Sequence, residues 1–336
     1  MSLQTQAYVA VEKGQKLVQQ TIELPEIQPG HVRIQVTHCG LCHSDLHLME
    51  DDLGISQYPM VPGHEVVGIV EAIGSGVKHL KIGDRAGVGW LSNSCGKCKQ
   101  CEQEQENLCA NNEPLIVASK GGFADKLDVN AHFAYEIPAG ITSENAAPLL
   151  CAGITVYNPI KRFFEEGMTV AVAGIGGLGH LGLQFAKQMG ARVVAISHSD
   201  SKRDEAFKHG ADIFVNSANP EDVAQVHGEI DLIIDTISAK HDFVKLFDML
   251  APNGTLCVLG ITNEELKFLP AHLILTQKKI TGSAVGSPKE MVEMLDFAAK
   301  HDIVTQTELM PMDQINDAIQ KLLRNEARYR IVLENK

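Results

Sequence analysis

Apolar and polar positions alternate in two different ways along the chain. Up to about residue 148 the pattern is one of short β-prone runs: HVRIQVTHC from His31, EVVGIVEAIG from Glu65, and the stretch around DRAGVGW from Asp84. Gly and Pro punctuate them at 29–31, 62–65 and 82–85, which predicts an irregular all-β domain. From about Leu149 the texture changes. MTVAVAGIGGLGHLGLQFAKQMGARVVAIS, residues 168–197, reads as strand, glycine turn, helix and strand, the layout of a βαβ unit. Apolar runs recur at DIFVN, DLIIDTI, TLCVLG and KITGSAVG with helical patterns between several of them. That alternation predicts a parallel sheet with right-handed crossovers. A helical PKEMVEMLDFAAKH and a β-like RYRIVLEN close the chain. The expected organisation is α/β, with residues 1–148 and 288–336 forming one domain and 149–287 the other.

With 336 residues the chain can bury two real cores. Its net charge of −13 argues against a nucleic-acid partner, which would want a basic face. There is no run of about 18 apolar residues to span a membrane. The first residues lack the charged-then-apolar layout of a signal peptide, so the cytoplasm is the expected location. In that compartment clustered thiols bind metal more often than they pair as disulfides, and composition alone leaves both readings open for the eight cysteines.

Gly174, Gly176, Gly177, Leu178 and Gly179 make a GxGxxG turn directly after an apolar strand and at the mouth of a helix. The first glycine permits the tight turn, the second lets a pyrophosphate approach the backbone, and the third allows close helix–strand packing. The helix N-terminus attracts the anion. Dinucleotide binding is therefore expected. The end of the next strand should select the cofactor. There Ser197 and Ser199 are followed by Lys202 and Arg203, hydroxyls and cations that suit a 2′-phosphate, so NADP(H) is expected. The competing reading is a solvated loop in which Asp200 serves as the ribose-binding acid of NAD.

CGKCKQCEQEQENLC places Cys95, Cys98, Cys101 and Cys109 at spacings that can close a tetrahedron around zinc with no open position, a structural site. Disulfides and an iron–sulfur cluster are the alternatives, and iron–sulfur ligands use other spacings. Outside that loop Cys42, His64, Glu65 and Cys151 remain as ligand candidates from three segments. Spacing cannot bring them together; taken singly, His64 reads as a loop histidine and Cys151 as a buried helix cysteine.

Taken jointly, CGLCHSDLH from Cys39, GISQYPMVPGHEVVG, the Cys95–Cys109 loop, PLLCAGITVY and GIGGLGHLGLQFAK resemble the zinc-dependent medium-chain alcohol dehydrogenases. They are especially similar to the cinnamyl alcohol dehydrogenase-like branch and its bacterial aldehyde reductase relatives. The motifs run in family order over nearly the whole chain. The resemblance implies a GroES-like catalytic domain beside a Rossmann domain, two zincs per chain and NADP(H). It implies that Cys42, His64 and Cys151 bind the catalytic zinc, with Glu65 behind or as an alternating ligand and Asp45 orienting the histidine. Ser44 would lie beside the substrate oxygen and His47 at the outer end of a proton relay through the nicotinamide ribose. His43 and Arg330 would lie near the pyrophosphate, Thr155 near the nicotinamide, and Ser197, Ser199 and Lys202 at the 2′-phosphate. A small alcohol or aldehyde is the implied substrate, and a homodimer or homotetramer the implied assembly.

Two pocket positions depart from the branch: Leu53 stands where it usually has Trp, and Trp90, the chain's one tryptophan, where it usually has a small residue. Trp90 resembles the ethanol-type enzymes, which keeps an NAD-dependent short-chain alcohol dehydrogenase as the alternative. Its bland reading is packing beneath the cysteine loop. A primary alcohol or aldehyde is as far as the substrate can be read. A non-catalytic zinc ribbon is the remote alternative, against which stand the acidic chain, the glycine turn and the second ligand set.

Overall fold

The computed structural model describes residues 3–118, 121–262 and 265–335. The chain divides into two compact units, one comprising residues up to Cys151 and from Gly286 onward, the other Ala152–Val285.

The first unit is built on a seven-stranded sheet. Its order runs Thr307–Pro311, Arg330–Glu334, His31–Leu41, Glu65–Ile73, Arg85–Val88, Ala134–Glu136, with Lys126–Asn130 also paired to His31–Leu41. The C-terminal strand thus returns to lie antiparallel to the strand that leads into Cys42, with Ile331 opposite Leu41. Register shifts between Val36 and His38 where that strand pairs with Glu65–Ile73. Such irregularities re-aim side chains, and this one lies just before the residues from Cys39 to Cys42. Ile34, Leu41, Leu48, Phe123, Leu127 and Phe133 fill the core, and Cys39 is packed among them without exposure.

The second unit is a six-stranded parallel sheet in the order Ile213–Asn216, Arg192–Ser197, Thr169–Ala173, Ile230–Asp235, Leu250–Val258, Lys279–Gly282. Numbered by sequence within the unit, this is 3-2-1-4-5-6, the doubly wound order of dinucleotide-binding folds. All five residues of Thr169–Ala173 are buried, as expected of a central strand covered on both faces. Strand order reverses between Thr169–Ala173 and Ile230–Asp235. The glycine turn follows the first of these, placing it at the switch point where such sheets bind ligands.

Candidate active site and metal centres

Cys42 caps a short helix, His43–Met49, and the helix divides its chemistry between two faces. Asp45 points inward and has no exposure. One of its oxygens accepts the Cys42 backbone N–H at 2.9 Å, a capping contact that fixes the start of the helix. The other accepts Gly63 N–H at 2.9 Å and His64 Nδ1 at 3.0 Å. The carboxylate accepts only, so Nδ1 carries the proton and Nε2 keeps its lone pair for a metal. Gly63 makes this approach possible: its φ is +97°, and a Cβ there would lie 2.7 Å from Phe123 Cδ1.

His64 Nε2 faces Cys151 Sγ at 3.2 Å. Cys151 sits in a wide π-helical turn, Leu149–Gly153, between the helices Ser143–Pro148 and Ile154–Phe163. Single π turns are rare and gather at functional sites because they re-aim one side chain from a helix. Donor atoms of Cys42, His64, Glu65 and Cys151 lie within 4.8 Å of one another, and all four residues are buried. Two thiols and an oriented imidazole make a three-ligand set that suits a catalytic zinc, with the carboxylate near enough to take or leave the fourth position. Glu65 has its space because residue 40 is glycine; a Cβ there would sit 1.9 Å from the carboxylate oxygen. Glu65 pairs with the buried Arg330, and its second oxygen has no hydrogen-bond partner. Burial raises its pKa to about 7, against the pull of Arg330. The Cys42 thiol is held well below its ordinary value, chiefly by the hydrogen bond from Cys151 and further by Arg330.

Trp90 meets the His64 ring edge-on, centroids 5.1 Å apart. On the other face of the short helix, Ser44 Oγ is 3.7 Å from Cys42 Sγ, and His47 follows one turn later. His47 Nδ1 lies 2.7 Å from Asp52, in a half-exposed pair. His43 is exposed, Ser44 half-buried, and Leu53 is exposed in the turn after the helix.

The four-cysteine loop forms the other cluster found among the described residues. Sulfur separations of 3.6 Å for Cys98–Cys101, 3.6 Å for Cys95–Cys109 and 4.0 Å for Cys95–Cys101 bracket the ~3.8 Å edge of a tetrahedron with Zn–S bonds of about 2.3 Å. All four positions are taken by protein, so this site closes a loop and leaves none for substrate.

In the second unit the glycine turn can be tested position by position. Gly174 has φ +87°; Gly179 would place a Cβ 1.8 Å from the Gly174 carbonyl oxygen; Gly176 faces open space within 4 Å. A tight turn, a close packing contact and an open cradle are the three properties a pyrophosphate site needs. Beyond the next strand Ser197 is buried, and Ser199 and Lys202 are half-buried. Asp200 is bound to Arg203 at 2.6 Å and to Asn216 at 2.9 Å, and Arg203 also reaches Asp222 at 3.3 Å. Thr155 is half-buried on the helix Ile154–Phe163.

Residues 28–139 match the family model described as alcohol dehydrogenase GroES-like domain, and residues 177–300 the one described as zinc-binding dehydrogenase. A probable cinnamyl alcohol dehydrogenase of Populus deltoides is 40% identical over 97% of this chain and 94% of its own length. The chain belongs to the zinc-binding alcohol dehydrogenases. A cinnamyl alcohol dehydrogenase from Sorghum bicolor superposes with a TM-score of 0.94 at 37% identity, covering 99% of this chain and 98% of the other. The Helicobacter pylori CAD complexed with NADP(H) superposes with a TM-score of 0.89 at 32% identity, covering 99% of both chains. In this alcohol dehydrogenase the two ligand clusters have the donor chemistry of zinc sites, and the second unit is the dinucleotide fold.

Two features of the site were not read from sequence. Asp52 against His47 carried no signal beyond a carboxylate five residues on. The Arg330–Glu65 pair joins residues 265 positions apart, and only the return of the last strand brings them together.

Proposed function

We propose that this alcohol dehydrogenase interconverts primary alcohols and aldehydes with NADP(H), using a catalytic zinc held by Cys42, His64 and Cys151. The observation that carries the reading is the convergence of these three side chains with Glu65, whose carboxylate is paired with Arg330. Zinc supplies Lewis acidity at the substrate oxygen, and the nicotinamide supplies or accepts the hydride. The protein's own residues handle the proton and the geometry. Ser44, beside the metal ligand Cys42, would accept the alcohol's proton as it releases its own into the relay that ends at His47. His47, on the same helix face at i+3, passes it towards solvent, with Asp52 holding the imidazole in orientation. Asp45 orients His64. Trp90 and Leu53 shape the pocket.

On the cofactor, Gly174, Gly176, Gly177, Leu178 and Gly179 cradle the pyrophosphate and Thr155 packs near the nicotinamide; His43 and Arg330 take their phosphate-facing roles from the family resemblance alone. Ser197, Ser199 and Lys202 take the 2′-phosphate. Support comes from Asp200, whose two carboxylate oxygens already accept hydrogen bonds from Arg203 and Asn216. The NADP(H) bound to the Helicobacter pylori relative agrees. Cys95, Cys98, Cys101 and Cys109 hold a structural zinc. Residues 1–148 with 288–336 act as catalytic domain and 149–287 as cofactor domain. The enzyme is cytoplasmic, which the eight unpaired cysteines support, and among the described residues no helix is long and apolar enough to cross a membrane. It is a homodimer or homotetramer paired through the parallel sheet by the strand near Gly282–Gly286; the edge strand of that sheet is Lys279–Gly282, and Leu269, Ile274 and Leu275 are exposed in the segment that leads into it.

A steady-state screen of aliphatic and aromatic aldehydes with NADPH and NADH tests the reading. Turnover of primary aldehydes with a lower KM for NADPH is expected. Preference for NADH, or reduction of none of these aldehydes, would overturn it. Ser197→Asp should shift the ratio towards NADH; an unchanged ratio would remove Ser197 from the phosphate site.

A further inference from the structure

Asp235 ends the strand Ile230–Asp235 with no exposure, and none of the reactions above uses it. One of its oxygens accepts the Ile237 backbone N–H at 3.1 Å, the other His241 Nε2 at 3.0 Å. The chain between residues 235 and 241 is thereby closed into a ring. The opposite nitrogen of the same imidazole, Nδ1, faces the Ala239 carbonyl at 2.8 Å. A carboxylate and a carbonyl both only accept, so both ring nitrogens must donate, and only the imidazolium satisfies the two contacts together. The buried carboxylate thus has a charged partner, as a buried charge requires.

This ring lies against the glycine turn. Thr236 Oγ1 shares its one proton between the carbonyls of Ala173 and Gly174, each at 2.9 Å, and Thr236 N–H donates to the Ala173 carbonyl at 2.9 Å. A Cβ on Gly174 would be 2.9 Å from Ile237 Cγ1. On its other side the ring is pressed by Gly260, where a Cβ would lie 2.1 Å from the Ile237 carbonyl oxygen. Whatever fixes Thr236 and Ile237 therefore fixes the backbone on which a pyrophosphate rests.

From these contacts we infer that His241, as an imidazolium clipped to Asp235, is a positioning residue for the dinucleotide turn and makes cofactor affinity depend on pH. The inference rests on the dinucleotide-binding reading of the Gly174–Gly179 turn. Among the described residues, the charged groups that act on the imidazole are Asp235 and Asp242. Asp235 comes from the strand, and Asp242 from the cap of the helix Phe243–Met249; Phe243 lays its ring at 4.1 Å from the imidazole centroid. Cys257, on the neighbouring strand, feels Asp235 but stays a thiol, pushed up to about 11 by burial. Gly174–Gly179 and the segment 259–262 contribute no titratable side chain. Burial works against the charge on His241, but the hydrogen bonds to Asp235 and Ala239 outweigh it and hold the pKa above the ordinary value of 6.5. With a raised folded pKa, the clip is complete below the ordinary value and lost as pH rises through the folded one. Affinity for the cofactor should fall in that same direction.

The test is NADPH binding to the zinc-loaded enzyme, followed by nucleotide fluorescence from pH 7 to 9, above the titration of the 2′-phosphate. The wild-type Kd should rise roughly fivefold across this window, a typical coupling between two sites. His241→Gln should start at the weakened level at pH 7 and stay there, raising the KM for NADPH while kcat at saturating cofactor is unchanged. A wild-type Kd that is flat with pH, or a His241→Gln profile that follows the wild type, overturns the inference; the first needs no variant to fold. A wild-type chain that binds neither NADPH nor NADH overturns the dinucleotide reading beneath it instead.

Discussion

Asp45 lies outside the ligand cluster, yet the Cys42 backbone, the Gly63 backbone and His64 all bond to it. Replacing it with Asn keeps the shape but turns a double acceptor into a group with one acceptor and one donor, and the donor meets an N–H. Asp45→Asn should weaken retention of the catalytic zinc by about 10–100-fold, the usual cost of losing a carboxylate behind a ligand histidine. Metal analysis after timed dialysis against a chelator checks this, with the four-cysteine zinc as internal reference. His47 is a different case because its partner is half-exposed. His47→Gln should lower kcat by about 100-fold, the low end for a proton-transfer group, with exogenous imidazole restoring part of it. Steady-state kinetics with and without imidazole measures both effects.

At the scale of elements, the glycine turn makes a prediction that separates folding from binding. Gly176 faces open space, so Gly176→Ala should fold as the wild type and raise the KM for NADPH. Gly179 meets the Gly174 carbonyl, so Gly179→Ala should lower the melting temperature as well. Thermal denaturation beside cofactor titration distinguishes the two. Elements like this were legible in the sequence because their information is local: the βαβ run, the glycine turn and the four-cysteine loop each lie within some thirty residues. The π turn at Leu149–Gly153 was not legible, since Pro148 and the helical pattern around it say only that a helix is interrupted. Nor was the Asp235–His241 ring, whose meaning depends on which backbone it lies against. Cys42, His64 and Cys151 were named through family resemblance alone, because residues 87 positions apart carry no spacing rule.

At the scale of the molecule, the order of the parallel sheet places the glycine turn at the switch point, and the return of the last strand sets Arg330 behind Glu65. The alternation of apolar and polar runs anticipated a parallel sheet but not its strand order; that order, like the Arg330–Glu65 pair, appears only when the chain is folded. The exposed apolar side chains of Leu269, Ile274 and Leu275, in the segment that leads into the edge strand, bear on assembly, since exposed apolar groups and an open sheet edge both invite pairing. Leu275→Asp should convert a dimer or tetramer to a smaller species in light scattering, and an unchanged mass would place the interface elsewhere. The central claim, a catalytic zinc on Cys42, His64 and Cys151, is tested most directly by counting zinc in the purified wild type and Cys151→Ser while measuring activity. Two zincs per wild-type chain, one in the variant, and lost turnover with NADPH binding kept is the expected result. A variant that keeps both zincs or its turnover would contradict it.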